Sequence, residues 1–167
     1  MADKNEFWMG LHRISRLTMQ CGLSHARFNV KFCDSSKEPS YKDYGIFKVR
    51  MDGGAYNTNW RLLVERPSGP AFDGLVLDDP IHTPHNIHFS GRVWDRDAAS
   101  GNCATYFGHG GGWWYRKCGY SWPTAIYNCP QNAALKCGSH GMSWRNAKEC
   151  HFLSAMDIKI RPSPFEA

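Results

Sequence analysis

The sequence has no run of about 18 consecutive apolar residues, which excludes a membrane-spanning helix. Its opening stretch, MADKNEFWMGLHR, lacks the apolar core of a secretory leader. No Cys-x-x-Cys pair occurs, so the usual spacing of a structural zinc site is missing. The Gly-x-Ser-x-Gly elbow of a serine hydrolase is also missing: GYSWP and GMSWR each lack the second glycine. Lys and Arg form no block although the net charge is +5, so there is no clustered phosphate footprint and nucleic acid is not an expected partner. Internal repeats, low-complexity tracts and Asn-x-Ser/Thr sequons are absent too.

Aromatic residues are abundant: 7 Trp, 7 Tyr and 9 Phe stand beside 16 Gly and 9 Pro. That mixture describes a loop-rich fold pinned by large rings. With 42% apolar and 21% charged residues over 167 positions, there is enough material to bury one core as a single domain. The 7 cysteines are many for a cytosolic protein and ordinary for an extracellular one held by disulfides. Seven is odd, so one thiol is free or pairs with another molecule. A sequence of extracellular character with no leader reads as a mature form or a fragment.

The first third carries strand patterns. In ARFNVKFCD, Phe28, Val30 and Phe32 alternate with polar neighbours, the period of a half-buried strand. YGIFKVRMDGG offers Tyr44 and Ile46, then Phe47, Val49 and Met51, before a Gly-Gly turn. NWRLLVERPSG repeats the theme. Leu11, Ile14 and Leu17 recur at helical spacing, and SAMDIKIRP reads as a final strand stopped by Pro162. Between Phe72 and Ser154 periodicity disappears, and five of the seven cysteines fall there. The expected class is α+β: a central twisted antiparallel sheet with short helices, plus an irregular loop-rich part. The boundaries are 5–75 with 155–163 for the sheet and 76–154 for the irregular part, within one domain over 1–167.

Within that irregular part, WDRDAASGNC sets Asp95 and Asp97 two apart. Both carboxylates can turn to one point, with carbonyls near Ala99 and Gly101 completing an oxygen cage for calcium. The alternative is an Asx-rich turn that binds nothing. Cys103 and Cys118 are 15 apart, a loop whose closure is worth about 3 kcal/mol, and Cys129 and Cys137 are spaced to close a shorter one. His82, His85 and His88 recur every three residues, but the intervening proline prevents a helix from gathering them, so they read as turn residues. HGGGWWYRKCGY suggests an oxyanion loop, yet no nucleophile elbow accompanies it, and no enzyme activity is expected.

Taken in order, NEFWMGLHRISRLT, YGIFKV, NWRLLV, WDRDAASGNCA, GGWWYRKC, GMSW and MDIKIRP resemble the signatures of the fibrinogen-related domain family. The match runs from about Glu6 to Pro162. The resemblance implies a fibrinogen C-terminal-like fold, Ca2+ held by Asp95, Asp97, Ala99 and Gly101, and a Cys103–Cys118 disulfide. It implies that the Lys117–Cys118 peptide is cis, as is frequent in the family. The terminal strand is expected to return among the strands of the first half.

The departures bear on ligand choice. The family's N-terminal subdomain has no counterpart ahead of Asn5. Gly119 stands where lectin members have a histidine, and their aromatic pocket wall falls near Gly138. Phe107 keeps an aromatic at another pocket position. Residues expected at the ligand site are Phe107, His109, Tyr115, Lys117, Cys118, Gly119, Tyr120, Trp122 and His140, with Tyr106 nearby. Trp113 and Trp114 read as core. The leading expectation is a secreted, calcium-binding lectin of innate-defence or adhesion type, for carbohydrate that includes acetylated or sialylated glycans. The rival is a module binding cell-surface or matrix protein without sugar specificity. A homo-oligomer is compatible with either.

Overall fold

The computed structural model describes residues 7–20, 22–54, 59–107, 111–129, 141–145, 148 and 150–163. Helix α1 spans Leu11–Met19. It lays Leu11, Ile14, Ser15 and Thr18, one face at i, i+3, i+4 and i+7, against the sheet, while Leu17 sits at the margin. Thr18 ties it down: its hydroxyl donates to the Ser15 carbonyl and accepts from the Val49 amide at 3.0 Å.

Three long strands follow: β1 (Leu23–Phe32), β2 (Ser40–Asp52) and β3 (Asn59–Ser68). A two-residue β4 (Ile87–His88), a single-turn α2 (Cys103–Tyr106), β5 (Ser143–Arg145) and the long β6 (Cys150–Ser163) complete the order. All pairings are antiparallel, and the six strands lie in the order β4-β3-β2-β1-β6-β5. The last strand therefore does return beside the first. The outer strands β4 and β5 both come from the stretch that lacks periodicity, because a strand of two or three residues is too short to show a period.

Alternation puts Ala26, Phe28 and Val30 of β1 into the core, with Phe28 edge-on to Tyr44 and Phe47. Along β2 the inward positions change phase: Tyr44, Phe47 and Val49 are buried, whereas Met51 is exposed. The change coincides with a parting of strands. β1 and β2 pair only as far as Ala26↔Tyr44, while β2 and β3 remain in register to Asp52↔Asn59.

One continuous core joins this sheet to the irregular segments through Leu75, Trp113, Trp114, Tyr115, Trp122 and Trp144. Trp113 and Trp114 are thus packing residues, as their pattern suggests. Trp114 donates its indole N–H to the Trp60 carbonyl and Trp144 to that of Phe72, both at 2.9 Å. These rings replace regular secondary structure as the organisers of the irregular half: each buries a large apolar area, and Trp114 and Trp144 also fix their direction with one hydrogen bond.

One sequence expectation is corrected here. Cys129 is joined to Cys33, not to Cys137, with 5.5 Å between the Cα atoms. The bridge fastens the end of β1 to the loop region across 96 residues. Cys137 lies outside the described residues. Cys150 is disulfide-bonded as well.

Candidate ligand site and acidic turn

Two paired bridges, Ser90–Trp113 and Trp122–Ser143, hold the loop system, and the first frames the acidic turn. Ser90 and Trp113 exchange both backbone hydrogen bonds, at 2.8 and 3.0 Å. Glycine is needed beside it: a Cβ on Gly112 would lie 2.4 Å from the Phe89 ring. The Gly111 and Gly112 carbonyls accept from the Tyr115 and Thr124 hydroxyls at 2.7 and 2.8 Å. The Gly-rich run is thus packed against a ring, with its carbonyls engaged. His109 lies outside the described residues.

Between these anchors, Asp95 and Asp97 fold into a tight turn. Asp97 accepts the Ala99 amide at 2.9 Å on one oxygen and the Cys103 amide at 2.8 Å on the other. Asp95 accepts the Asp97 amide and the Ser90 hydroxyl, both at 3.3 Å. Burial raises the Asp97 carboxyl above the usual carboxylate range; the two amides pull it back, and the adjacent Asp95 carboxylate pushes it up again. Two carboxylates held this close, one exposed and one half-buried, suit a hard divalent cation that would neutralise both. Among the described residues no group of three His, Cys, Asp or Glu side chains lies together. A cation here would accordingly need backbone oxygens, such as the Ala99 and Gly101 carbonyls, beside the two carboxylates.

Next to this turn, Asn102 caps α2 by accepting the Thr105 amide at 2.9 Å. Cys103, fully buried at the start of α2, is bonded to Cys118. The Lys117–Cys118 peptide is trans, as is every described peptide, which corrects the cis expectation. The backbone reverses instead through two consecutive left-handed residues, Cys118 at φ 60° and Gly119 at φ 65°. Trp122 closes the turn by donating its indole N–H to the Cys118 carbonyl at 2.6 Å.

Around this turn the expected ligand residues separate. Phe107 stacks on Trp122 with ring centroids 5.1 Å apart, and Trp122 is only 3% exposed. Tyr115 is fully buried, so it belongs to the core and not to a ligand surface; burial also raises its phenol well above the ordinary tyrosine range. Lys117 and Tyr106 point to solvent. His140 lies outside the described residues. Tyr120 stacks on His82 at 4.4 Å, and the Arg145 guanidinium lies 5.1 Å from its ring centre.

Sequence reasoning missed Asp79. Its carboxylate meets His82 Nδ1 at 2.6 Å and accepts the Tyr120 hydroxyl at 3.3 Å. The His82 bond, then the Ile81 amide, hold its carboxyl below the usual carboxylate range. The Asx turn that Asp79 makes onto Ile81 was its available signal, in Asp-Pro-Ile. The three spaced histidines separate: His82 turns to Asp79, His85 to the Val64 backbone, and His88 to Asp52 at 3.4 Å.

Known proteins share this fold and parts of its sequence. Residues 1–163 match the family described as fibrinogen beta and gamma chains, C-terminal globular domain. The fibrinogen gamma chain of Rattus norvegicus is 36% identical over 118 residues, covering 68% of this chain and 26% of the relative. Fibrinogen C domain-containing protein 1-A of Xenopus laevis is 29% identical over 94% of this chain and 32% of its own length. The chain thus spans about a quarter to a third of these relatives. Among solved structures, the fibrinogen-like globe domain of human ANGPTL2 superposes with a TM-score of 0.73 at 26% identity, over 95% of this chain and 67% of that one. A lamprey fibrin D-dimer complexed with the peptide Gly-His-Arg-Pro amide gives 0.70 at 25% identity, over 94% of this chain and 50% of that one. The protein described here therefore belongs to the family formed by the C-terminal globular domains of fibrinogen beta and gamma chains.

Proposed function

We propose that the protein is an extracellular recognition module, steadied by Ca2+ at the Asp95–Gly101 turn, that binds protein or peptide at the Cys118–Trp122 turn. One observation carries the choice of ligand: the aromatic rings of this turn are already occupied. Trp122 is almost wholly buried under Phe107, and His82 covers a face of Tyr120. Stacking on a sugar ring needs a free aromatic face, whereas a peptide can be held through charge and hydrogen bonds at the edges of such a cluster. Asp79, ionised and about a third exposed at the rim, suits an amine or guanidinium. The peptide bound in the lamprey fibrin structure carries both. Bound calcium would neutralise Asp95 and Asp97 and so stiffen the loop leading into Cys103.

A carbohydrate ligand is the second reading, favoured by Phe107 and Tyr120, which are only half-buried. Labelled protein, screened on peptide and glycan arrays in millimolar calcium and again with a chelator, separates the two. Saturable peptide binding lost in Asp79→Asn supports the first reading. Saturable binding to one sugar class with no peptide binding replaces it with the second. Equal binding with and without chelator removes calcium from the proposal.

A further inference from the structure

The open side of the sheet carries a second surface, remote in sequence from the ligand turn. Where β2 parts from β1 a cleft of about 540 Å³ opens, and His25, Arg27, Asp43, Arg66, Lys159 and Arg161 line it. The strand register sets them in rows: Asp43, Arg27 and Lys159 lie side by side on β2, β1 and β6, and His25 faces Arg161 one row along.

Two features show that the cleft is shaped. Arg66 has φ 56°, a left-handed conformation that bulky residues rarely adopt and that the surrounding structure must impose. Gly45 makes room for it, since a Cβ there would lie 3.1 Å from Arg66 Cβ and 3.4 Å from its Cδ. The stem of Arg66 therefore lies over the point where the strands separate.

The charge balance is one-sided. Asp43 takes Arg27 in a two-pronged pair at 2.7 and 2.8 Å. Arg66 and Arg161 have no ion-pair partner among the described residues, and Lys159 has only a 3.9 Å contact to exposed Asp157. Glu65, next to Arg66, is directed to His85 at 3.9 Å. Two guanidiniums thus face the cleft without an ion-pair partner among the described residues, and the Lys159 ammonium beside them is only loosely held.

We infer that this cleft binds a sulfated linear polysaccharide. Guanidinium forks match the paired oxygens of a sulfate ester. The cations extend from β3 to β6, three strand spacings or about 14 Å, so one tetrahedral anion cannot reach all of them but a linear polyanion can. The nearest rings give no platform for a nucleic acid base: Tyr44 is fully buried, and Arg27 lies over the Tyr41 ring at 4.1 Å. The surface is separate from the peptide site proposed above, so either can fail without the other.

The probe is a heparin octasaccharide, titrated calorimetrically into the disulfide-intact protein at physiological salt. Saturable binding is expected, with the affinity of Arg66→Glu and of Arg161→Glu each about tenfold weaker and the melting temperature of Arg161→Glu unchanged. Should Arg66→Glu misfold, Lys159→Glu with Arg161→Glu makes the same test at exposed positions. Arg13→Glu with Arg16→Glu, on the exposed face of α1, removes the same charge as that double variant and is expected to bind as the parent does. Desulfated oligosaccharide is expected not to bind. Absence of binding, an equal loss in the α1 variant, or full competition by millimolar inorganic sulfate would each overturn the inference.

Discussion

Removing the Cys33–Cys129 bridge measures how firmly the sheet holds the irregular half. The bridge closes 96 residues, and in the chain-entropy account a loop of that size is worth about 4.7 kcal/mol. The Cys103–Cys118 bridge, spanning 15 residues, lies inside it and shortens the effective loop. Because the dependence is logarithmic, the correction is only about 0.1 kcal/mol. Both sulfurs sit at half-buried positions, so Cys33→Ala/Cys129→Ala removes little packing. The expected loss is about 4–5 kcal/mol, or roughly 8–20 °C in Tm for a protein of this size. Against a total stability of about 5–15 kcal/mol, such a loss brings the fold close to its limit. Thermal and urea melts of parent and variant, without reductant and with the other disulfides confirmed by mass, give the answer. A Tm drop below about 3 °C, equivalent to about 1 kcal/mol, would refute the reasoning.

Three more outcomes are expected. Calcium at a hundred times its dissociation constant should stabilise the fold by about 2.7 kcal/mol, and Asp95→Asn/Asp97→Asn should erase the difference between calcium and chelator melts. Burial works against ionised Asp52, but bonds from Arg61, Arg50 and His88 outweigh it and bring its carboxyl from 3.8 down to about 2. Its contribution is therefore complete above pH 3.8 and lost as pH falls through about 2. Solvent screening limits it to about 1 kcal/mol, so urea midpoints of parent and Asp52→Asn should differ at pH 7 and converge as pH falls below about 2. Gly112→Ala drives a methyl into the Phe89 ring at 2.4 Å and should cost about 1–3 kcal/mol by chemical denaturation.

What could be read from the sequence follows from the range of the interaction. Phe28 and Val30 announce β1 because alternation is local, and β6 is read as a strand for the same reason. The buried Trp113 and Trp114 were legible as packing because few other roles suit adjacent tryptophans among glycines. Asp95 and Asp97 stand two apart, so their shared turn was visible. Partners distant in sequence were not: nothing near Cys129 indicates Cys33, and Cys137 was the nearer candidate. Asp79 and Tyr120, 41 positions apart, meet only because the 103–118 disulfide and the left-handed pair after it turn the backbone around. The phase change along β2 was present in the letters, as Tyr44 and Ile46 followed by Phe47 and Val49. Its cause, the parting from β1, is a property of the whole sheet.

Strand order also constrains how the protein is made. β1 finishes at Phe32, but the neighbour that covers its second edge is β6, Cys150–Ser163. A ribosome adding about 5–20 residues per second needs roughly 7–26 s to travel from the end of one strand to the end of the other. Throughout that interval the growing polypeptide presents an unpaired row of N–H and C=O groups beside Phe28 and Val30, a template for pairing with a neighbouring nascent molecule. Synthesis of this domain therefore depends on that edge being shielded until its last strand emerges.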